Sequence, residues 1–228
     1  MVLDLHIHSK YSFDSFLSVK KIIKVAKKKG LNGIAITDHN TIKGALEVSK
    51  INKDKNFAVI IGSEIATDKG DIIGLFLKKE IETNNFDYAV SEIHRQGGIT
   101  VLPHPYKGHK LAEINIESID IVEVANSRIS SILNEKAREL AQKNKIPGIA
   151  GSDAHFCAEI GNNATIINSN DIRKEILAGS TSFKEKGTYY YLQTASQLIK
   201  AIKSKQYGKL PFLLLLFIRD FLFQKRQT

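Results

Sequence analysis

Val2-Leu3-Asp4-Leu5-His6-Ile7-His8-Ser9-Lys10-Tyr11-Ser12-Phe13-Asp14-Ser15 begins as a short apolar run carrying two histidines one residue apart. Alternate side chains of a β-strand share a face, so a strand over 2–8 turns His6 and His8 the same way and Leu3, Leu5 and Ile7 the other. Asp4 falls on the histidine face, placed to orient a ligand imidazole, and Asp14 follows in the next loop. Two imidazoles side by side at a strand end can grip a metal ion. Alone they read equally well as histidines satisfied by hydrogen bonds, because a metal site needs several convergent ligands.

The pattern recurs outward from this stretch. A helix over 18–29, with Ser18 at its cap and Gly30 at its end, precedes an apolar run over 33–37 and then Asp38-His39-Asn40. Thr41 caps a helix reaching about 51. A strand over 57–61 leads to Gly62-Ser63-Glu64, and another covers 71–77. A helix over 85–96 precedes a strand over 99–102 and Pro103-His104-Pro105. A strand over 119–124, a helix over 129–143 and a strand over 146–150 end at Gly151-Ser152-Asp153-Ala154-His155. Strands alternating with helices predict a parallel sheet, and near-continuous apolar strands predict that both of its faces are covered. About seven such strands suit a closed, TIM-like α/β barrel, whose active site lies at the C-terminal strand ends. His6, His8, Asp38, His39, Glu64, His104, Asp153 and His155 all fall at or just after such ends, which predicts one metal centre on one rim.

The chain of 228 residues, 43% hydrophobic and 25% charged, suits one sizeable domain with or without an appendage. The single cysteine, Cys157, excludes an internal disulfide and fits a reducing cytoplasm; no basic leader precedes the first strand, so no signal peptide is expected. The formal charge of +9 suits an anionic partner. Part of it lies in the lysines of 20–29, which read as a solvated helix face.

The motifs HIHSKYSFDS (6–15), TDHN (37–40), GSEI (62–65), LPHP (102–105) and GSDAH (151–155), in this order, resemble those of the PHP (polymerase and histidinol phosphatase) family over roughly residues 2–168. The resemblance implies a distorted seven-stranded (β/α) barrel holding two or three divalent metal ions. It also implies hydrolysis of phosphate esters by a metal-bridging hydroxide. By the same resemblance His6, His8, Glu64 and Asp153 ligate one metal, Glu64 bridges to a second held by His104, and Asp14, His39 and His155 hold a third. Glu64, Asp153 and His155 form the catalytic group. Asp71 stands where many members carry a histidine; a carboxylate still suits a hard divalent cation. Imidazoles and carboxylates without thiolates fit Mn, Zn or Fe. Cys157 needs no catalytic role.

Arg128, after a strand end, is placed to clamp a substrate phosphate or else to open the next helix as a surface charge. Lys10 and Tyr11 are candidate substrate contacts. His94 reads as structural within its helix, and His109 as a loop residue. Residues 1–187 form the expected barrel and 188–228 a basic and apolar helical extension, in which 188–194 (TYYYLQT) reads as strand or loop. The apolar run 210–218 is too short to span a bilayer. It suits a helix docked on the barrel or on a dimer partner, or a peripheral membrane anchor with basic flanks. The expected activity is a cytoplasmic, metal-dependent phosphoesterase. Its substrate is a nucleotide or other small phosphomonoester, or an oligonucleotide end attacked in 5′–3′ exonuclease fashion; histidinol phosphate is a narrower candidate. The competing reading is a non-catalytic PHP module that binds nucleic acid or a protein partner.

Overall fold

In a computed structural model, which describes residues 1–226, each apolar run expected to be a strand contains one. The strands are β1 (Val2–Ile7), β2 (Gly33–Ile36), β3 (Ala58–Thr67), β4 (Gly70–Leu75), β5 (Ile99–Leu102), β6 (Ile121–Asn126), β7 (Gly148–Gly151), β8 (Ala164–Ile167) and β9 (Thr181–Lys184). The helices are α1 (Val19–Lys28), α2 (Lys43–Ile51), α3 (Phe86–Arg95), α4 (Ser131–Asn144), α5 (Ile172–Leu177), α6 (Tyr190–Lys203) and α7 (Leu210–Phe223). Hydrogen bonding orders the sheet β7-β6-β5-β4-β3-β2-β1-β8-β9. Its far end returns to β1: the His8 amide donates to the Ala154 carbonyl at 2.9 Å and the Ala154 amide to that of His6 at 3.3 Å. The result is a nine-stranded sheet that nearly closes into a TIM-like barrel by the return of β7 to β1; the sequence suggested about seven strands, and β8 and β9 are the two beyond them. One buried cluster, including Leu3, Leu5, Ala35, Ile60, Ile73, Val101, Ile121 and Ile149, fills its interior. Two further clusters pack helices on the outside: Ile7, Ile34 and Ile36 against α1 and α2, and Ile65, Ile72 and Leu102 against α3.

The sheet is mixed rather than parallel. β3 runs parallel to β2 over 58–61 and then antiparallel to β4 over 62–67. Only Asp68 and Lys69 separate β3 from β4, too few residues for a crossover, and Gly70 at φ +119° carries the turn. Glu64 therefore lies within a strand, opposite Ile73, and not beyond a strand end. β4–β5, β1–β8 and β8–β9 are antiparallel too.

The expected alternation along β1 also fails at one point. The register against β2 shifts between Asp4 and Ile7, the mark of a bulge. Leu3 and Leu5 thus face the interior while Ile7 faces α1 and α2. Segment 188–194 belongs to neither strand nor loop for most of its length, because α6 starts at Tyr190. Among the described residues no helix is long and apolar enough to cross a membrane.

Candidate metal centre

The closure of β1 on the chain after β7 brings the first and last motifs together. Gly151 permits it: a Cβ there would stand 2.5 Å from the His6 Cβ and 2.6 Å from Glu123 Oε1. His6 Nε2 and His8 Nε2 come within 3.1 Å of each other, and His8 Nε2 lies 3.2 Å from Glu64 Oε2 and 3.3 Å from Asp153 Oδ1. Glu64 turns its other oxygen to His104 Nε2 at 3.0 Å, and Asp71 completes a group with these two. Asp14 Oδ2 lies 3.3 Å from His39 Nε2 and 2.9 Å from His155 Nε2, and His8 joins this third group. The three clusters therefore overlap, through His8 and through Glu64. Metal–ligand bonds of about 2.0–2.2 Å put two ligand atoms on one ion roughly 3–3.6 Å apart, which is the spacing these donors already hold.

Electrostatics point the same way. Burial alone would lower the His8 pKa, but hydrogen bonds and charge from Asp153 and Glu64 outweigh it and push it up to about 10. His6, also buried, is raised well above its ordinary value by Glu123, Asp153 and Glu64. Burial opposes ionisation of Glu64, yet His39 and His6 hold it well below the carboxylate range. Asp71 goes the other way: burial, and then the charge of Glu64, raise it. A site in which carboxylates draw buried imidazoles towards protonation demands positive charge. Divalent cations meet that demand with neutral imidazoles. His39 Nδ1 and His104 Nδ1 are moreover buried without a hydrogen-bond partner. The donor set thus fits two or three divalent metal ions.

The supporting shell is dense. Glu123 Oε1 accepts from His6 Nδ1 at 2.9 Å, which turns Nε2 to the cluster, and Glu123 Oε2 accepts from the His104 amide at 3.0 Å. Ser12 Oγ lies 3.2 Å from His8 Nδ1 and donates to Asp14 Oδ1 at 2.8 Å. Asp38, which precedes His39, accepts from the Ser9 amide and hydroxyl; Gly44 makes room for it, since a Cβ there would meet Asp38 Oδ2 at 1.9 Å. His104 (φ 30°) and Asp153 (φ 53°) both sit in the left-handed region. Non-glycine residues hold that conformation where the surroundings impose it, commonly at functional sites.

Asp4 does not orient an imidazole. The bulge turns it away, and it accepts from the Ser152 amide and hydroxyl and from the Gly161 amide; burial raises its pKa to about 6. Lys10 and Tyr11 are not brought to the centre: both bond the Glu47 carboxylate on α2, Lys10 at 3.0 Å and Tyr11 at 2.7 Å. Arg128 is no surface charge, being only 6% exposed. Its Nε donates to Glu159 Oε1 at 3.0 Å, its Nη2 to the Leu192 carbonyl and the Ser196 hydroxyl on α6, and its Nη1 lies 2.9 Å from His155 Nδ1. His94 pairs with Asp120 on the outer surface. His109 stands closer to the centre than a plain loop residue: its Nε2 donates to the Asp71 carbonyl at 2.8 Å and its ring lies 5.6 Å from that of His104. Cys157 packs half-buried against the outer core.

The clusters open into a cavity of about 380 Å³. Lys107, Gln197 and Lys200 line it, together with Phe13, which stacks on His39 at 4.3 Å and carries the Lys200 ammonium 4.7 Å above its ring. None of these, nor Glu123 or Glu159, stands out in the sequence as a site residue. Glu123 leaves one trace, a charge inside the apolar run Ile119–Val124. Lys200 leaves none, being one lysine of several on a basic helix.

Comparison with known proteins agrees with this geometry. The chain is 38% identical over 163 residues to an uncharacterized protein of Methanocaldococcus jannaschii, an alignment covering 63% of this chain and 95% of the relative. It is 32% identical over 109 residues to a Clostridium acetobutylicum protein named "Probable histidinol-phosphatase", covering 43% of this chain and 42% of that one. A two-domain Bacteroides vulgatus protein containing a predicted PHP-like metal-dependent phosphoesterase superposes with a TM-score of 0.69 over 86% of this chain and 69% of its own. At 18% identity that likeness speaks for the fold alone. The model of the PHP domain matches residues 4–210, from the first strand through α6. Spanning every motif on the rim and the helix that covers them, that match makes this chain a member of the PHP domain family.

Proposed function

We propose that this chain is a metal-dependent phosphoesterase acting on a small phosphomonoester, such as a nucleotide. The observation that carries the reading is the convergence of eight His, Asp and Glu side chains in three overlapping clusters at the floor of one cavity. A non-catalytic module would have no need of so full a donor set. Bound divalent ions, Mn, Zn or Fe by donor type, supply an acidified water and positive charge for the phosphate oxygens. Glu64, Asp153 and His155 hold the reacting position, Glu64 facing two clusters at once. Glu123 and Ser12 fix the imidazole tautomers through Nδ1, leaving each Nε2 free to ligate. Lys107 and Lys200 on the walls offer charge to phosphate oxygens turned away from the floor. A cavity of about 380 Å³, roofed by α6, suits a mononucleotide-sized ester better than the track of an oligonucleotide.

The test is a chelated, metal-reconstituted screen over mononucleotides, other phosphomonoesters including histidinol phosphate, and 5′-phosphorylated oligonucleotides. Chelation should abolish hydrolysis and Mn or Zn restore it, with no gain in affinity from added nucleotides. Full activity in chelator, with metal loss confirmed by elemental analysis, would sink the metal mechanism. Affinity rising salt-sensitively with each added nucleotide would favour an exonuclease.

A further inference from the structure

α7 is apolar almost all round, and none of its side chains is buried. Helices of that composition are normally covered on every side. One side of α7 is covered: Phe217 and Phe221 pack edge-on against Tyr191 of α6, and Asp220 accepts from the Thr194 hydroxyl at 2.7 Å. The opposite side is bare. Six large apolar residues on it, Phe212, Leu215, Ile218 and Leu222 among them, are 47–73% exposed. At 100° per residue they form one broad face, in which Arg219 is the one charged residue. With 14 residues, α7 is about 21 Å long, short of the roughly 30 Å of a bilayer's hydrocarbon.

Charge identifies what covers this face. Residues 188–228 carry seven Lys and Arg against one acid, Asp220, and so hold six of the chain's nine net positive charges. Lys205 and Lys209 stand exposed at one end of α7 and Lys225 at the other. A second copy of the chain would bring the same positive charge to the contact. In a contact of α7 with α7, the one acid of the segment, Asp220, is already engaged by Thr194 and Arg219. An anionic lipid surface offers both an apolar layer for the bare face and negative charge for its flanks. We propose that α7 is a peripheral docking element that lays its apolar face into the interface of an anionic bilayer. α6, whose Gln197 and Lys200 line the cavity, then stands between the membrane and the metal centre.

Flotation of the full chain with vesicles of phosphatidylcholine, alone or with phosphatidylserine, tests this. The chain should float with the serine-containing vesicles and be released by salt. Leu215→Glu/Leu222→Glu should weaken binding about tenfold or more while metal content and helical circular dichroism stay unchanged. Lys205→Glu/Lys209→Glu, which leaves the apolar face intact, should weaken binding to the anionic vesicles by a similar factor. The proposal is overturned if the folded wild-type chain fails to float. It is equally overturned by the same flotation on both kinds of vesicle, indifferent to salt and to the lysine reversal. A stable dimer that Leu215→Glu/Leu222→Glu splits into monomers, with no vesicle binding, would name the second copy as the occupant.

Discussion

Asp71 and Arg128 are the residues whose chemistry decides most. Asp71 shares a cluster with Glu64 and His104, and burial beside the Glu64 charge disfavours its ionised form. A divalent ion between the two carboxylates removes that penalty. Asp71→Ala should therefore lower the metal content by part of one equivalent and cut turnover, whereas Asp71→His keeps a ligand and should retain activity with a shifted metal preference. Elemental analysis beside steady-state rates checks this, and unchanged metal and rate in Asp71→Ala would make the residue a mere strand-edge carboxylate. Arg128 and Glu159 form an ion pair with side chains 6% and 0% exposed. Removing one partner of such a pair leaves a buried charge uncompensated, at a cost of about 3–5 kcal/mol. Arg128→Ala should show that loss in denaturant unfolding, and Arg128→Met/Glu159→Gln should recover much of it. Arg128→Ala with wild-type stability would mean that Glu159 finds another partner or a proton. The sequence made Arg128 visible as a strand-end arginine. Its partners lie up to 68 positions away on α6, so its engagement was not visible.

At the scale of elements, α6 is bound into the metal centre rather than appended to it. Lys203 donates to the carbonyls of Lys10, Ser12 and Ser15, at 2.9, 2.7 and 2.6 Å, and so clamps the loop that carries Asp14. Gln193 and the Arg128 guanidinium fasten the other end of the helix. Lys203→Met keeps the apolar stem but loses all three bonds. It should weaken metal binding at the Asp14–His39–His155 cluster by about 10–100-fold, the usual scale for a ligand's supporting partner, and leave the His6–His8–Glu64 cluster filled. Metal titration followed by calorimetry measures both sites, and equal affinities in variant and wild type would reduce Lys203 to a surface contact. Nothing local in the sequence announces this clamp, because its partners lie 188–193 residues apart. The β3–β4 hairpin was closer to legible. Asp68-Lys69-Gly70, directly ahead of the apolar run 71–77, is a turn signal, and it outweighs the strand–helix alternation that argued for a parallel sheet.

For the whole molecule, the charge balance of the centre ties stability to metal and to pH. In the metal-free chain His8 is raised from 6.5 to about 10 by Asp153 and Glu64 acting against burial. A base whose pKa is higher in the folded state contributes stability that is complete below its unfolded value and is lost as pH climbs through the folded one. Chelated protein should therefore lose thermal stability as pH rises from about 6.5 towards 10. Protein loaded with Mn or Zn should not, and adding metal near neutrality should release protons. Thermal melts across this range, with and without chelator, test the point; a flat metal-free profile would contradict it. By itself the sequence determined the α/β class, most of the strand positions and the candidate ligands: eight of the nine sit in short motifs at or near the end of an apolar run, and Asp71, at the start of one, was reached only through the family resemblance. Periodicity and motif spacing are local properties, and local sequence carries them. Only the tertiary structure decided that β3 reverses into β4, that a bulge in β1 separates Asp4 from the imidazoles, and that Glu123 orients His6. It alone decided that α6 roofs the cavity and fixes Arg128 and the Asp14 loop. These arrangements depend on which distant segments the closed barrel brings into contact, and no spacing along the chain encodes that contact.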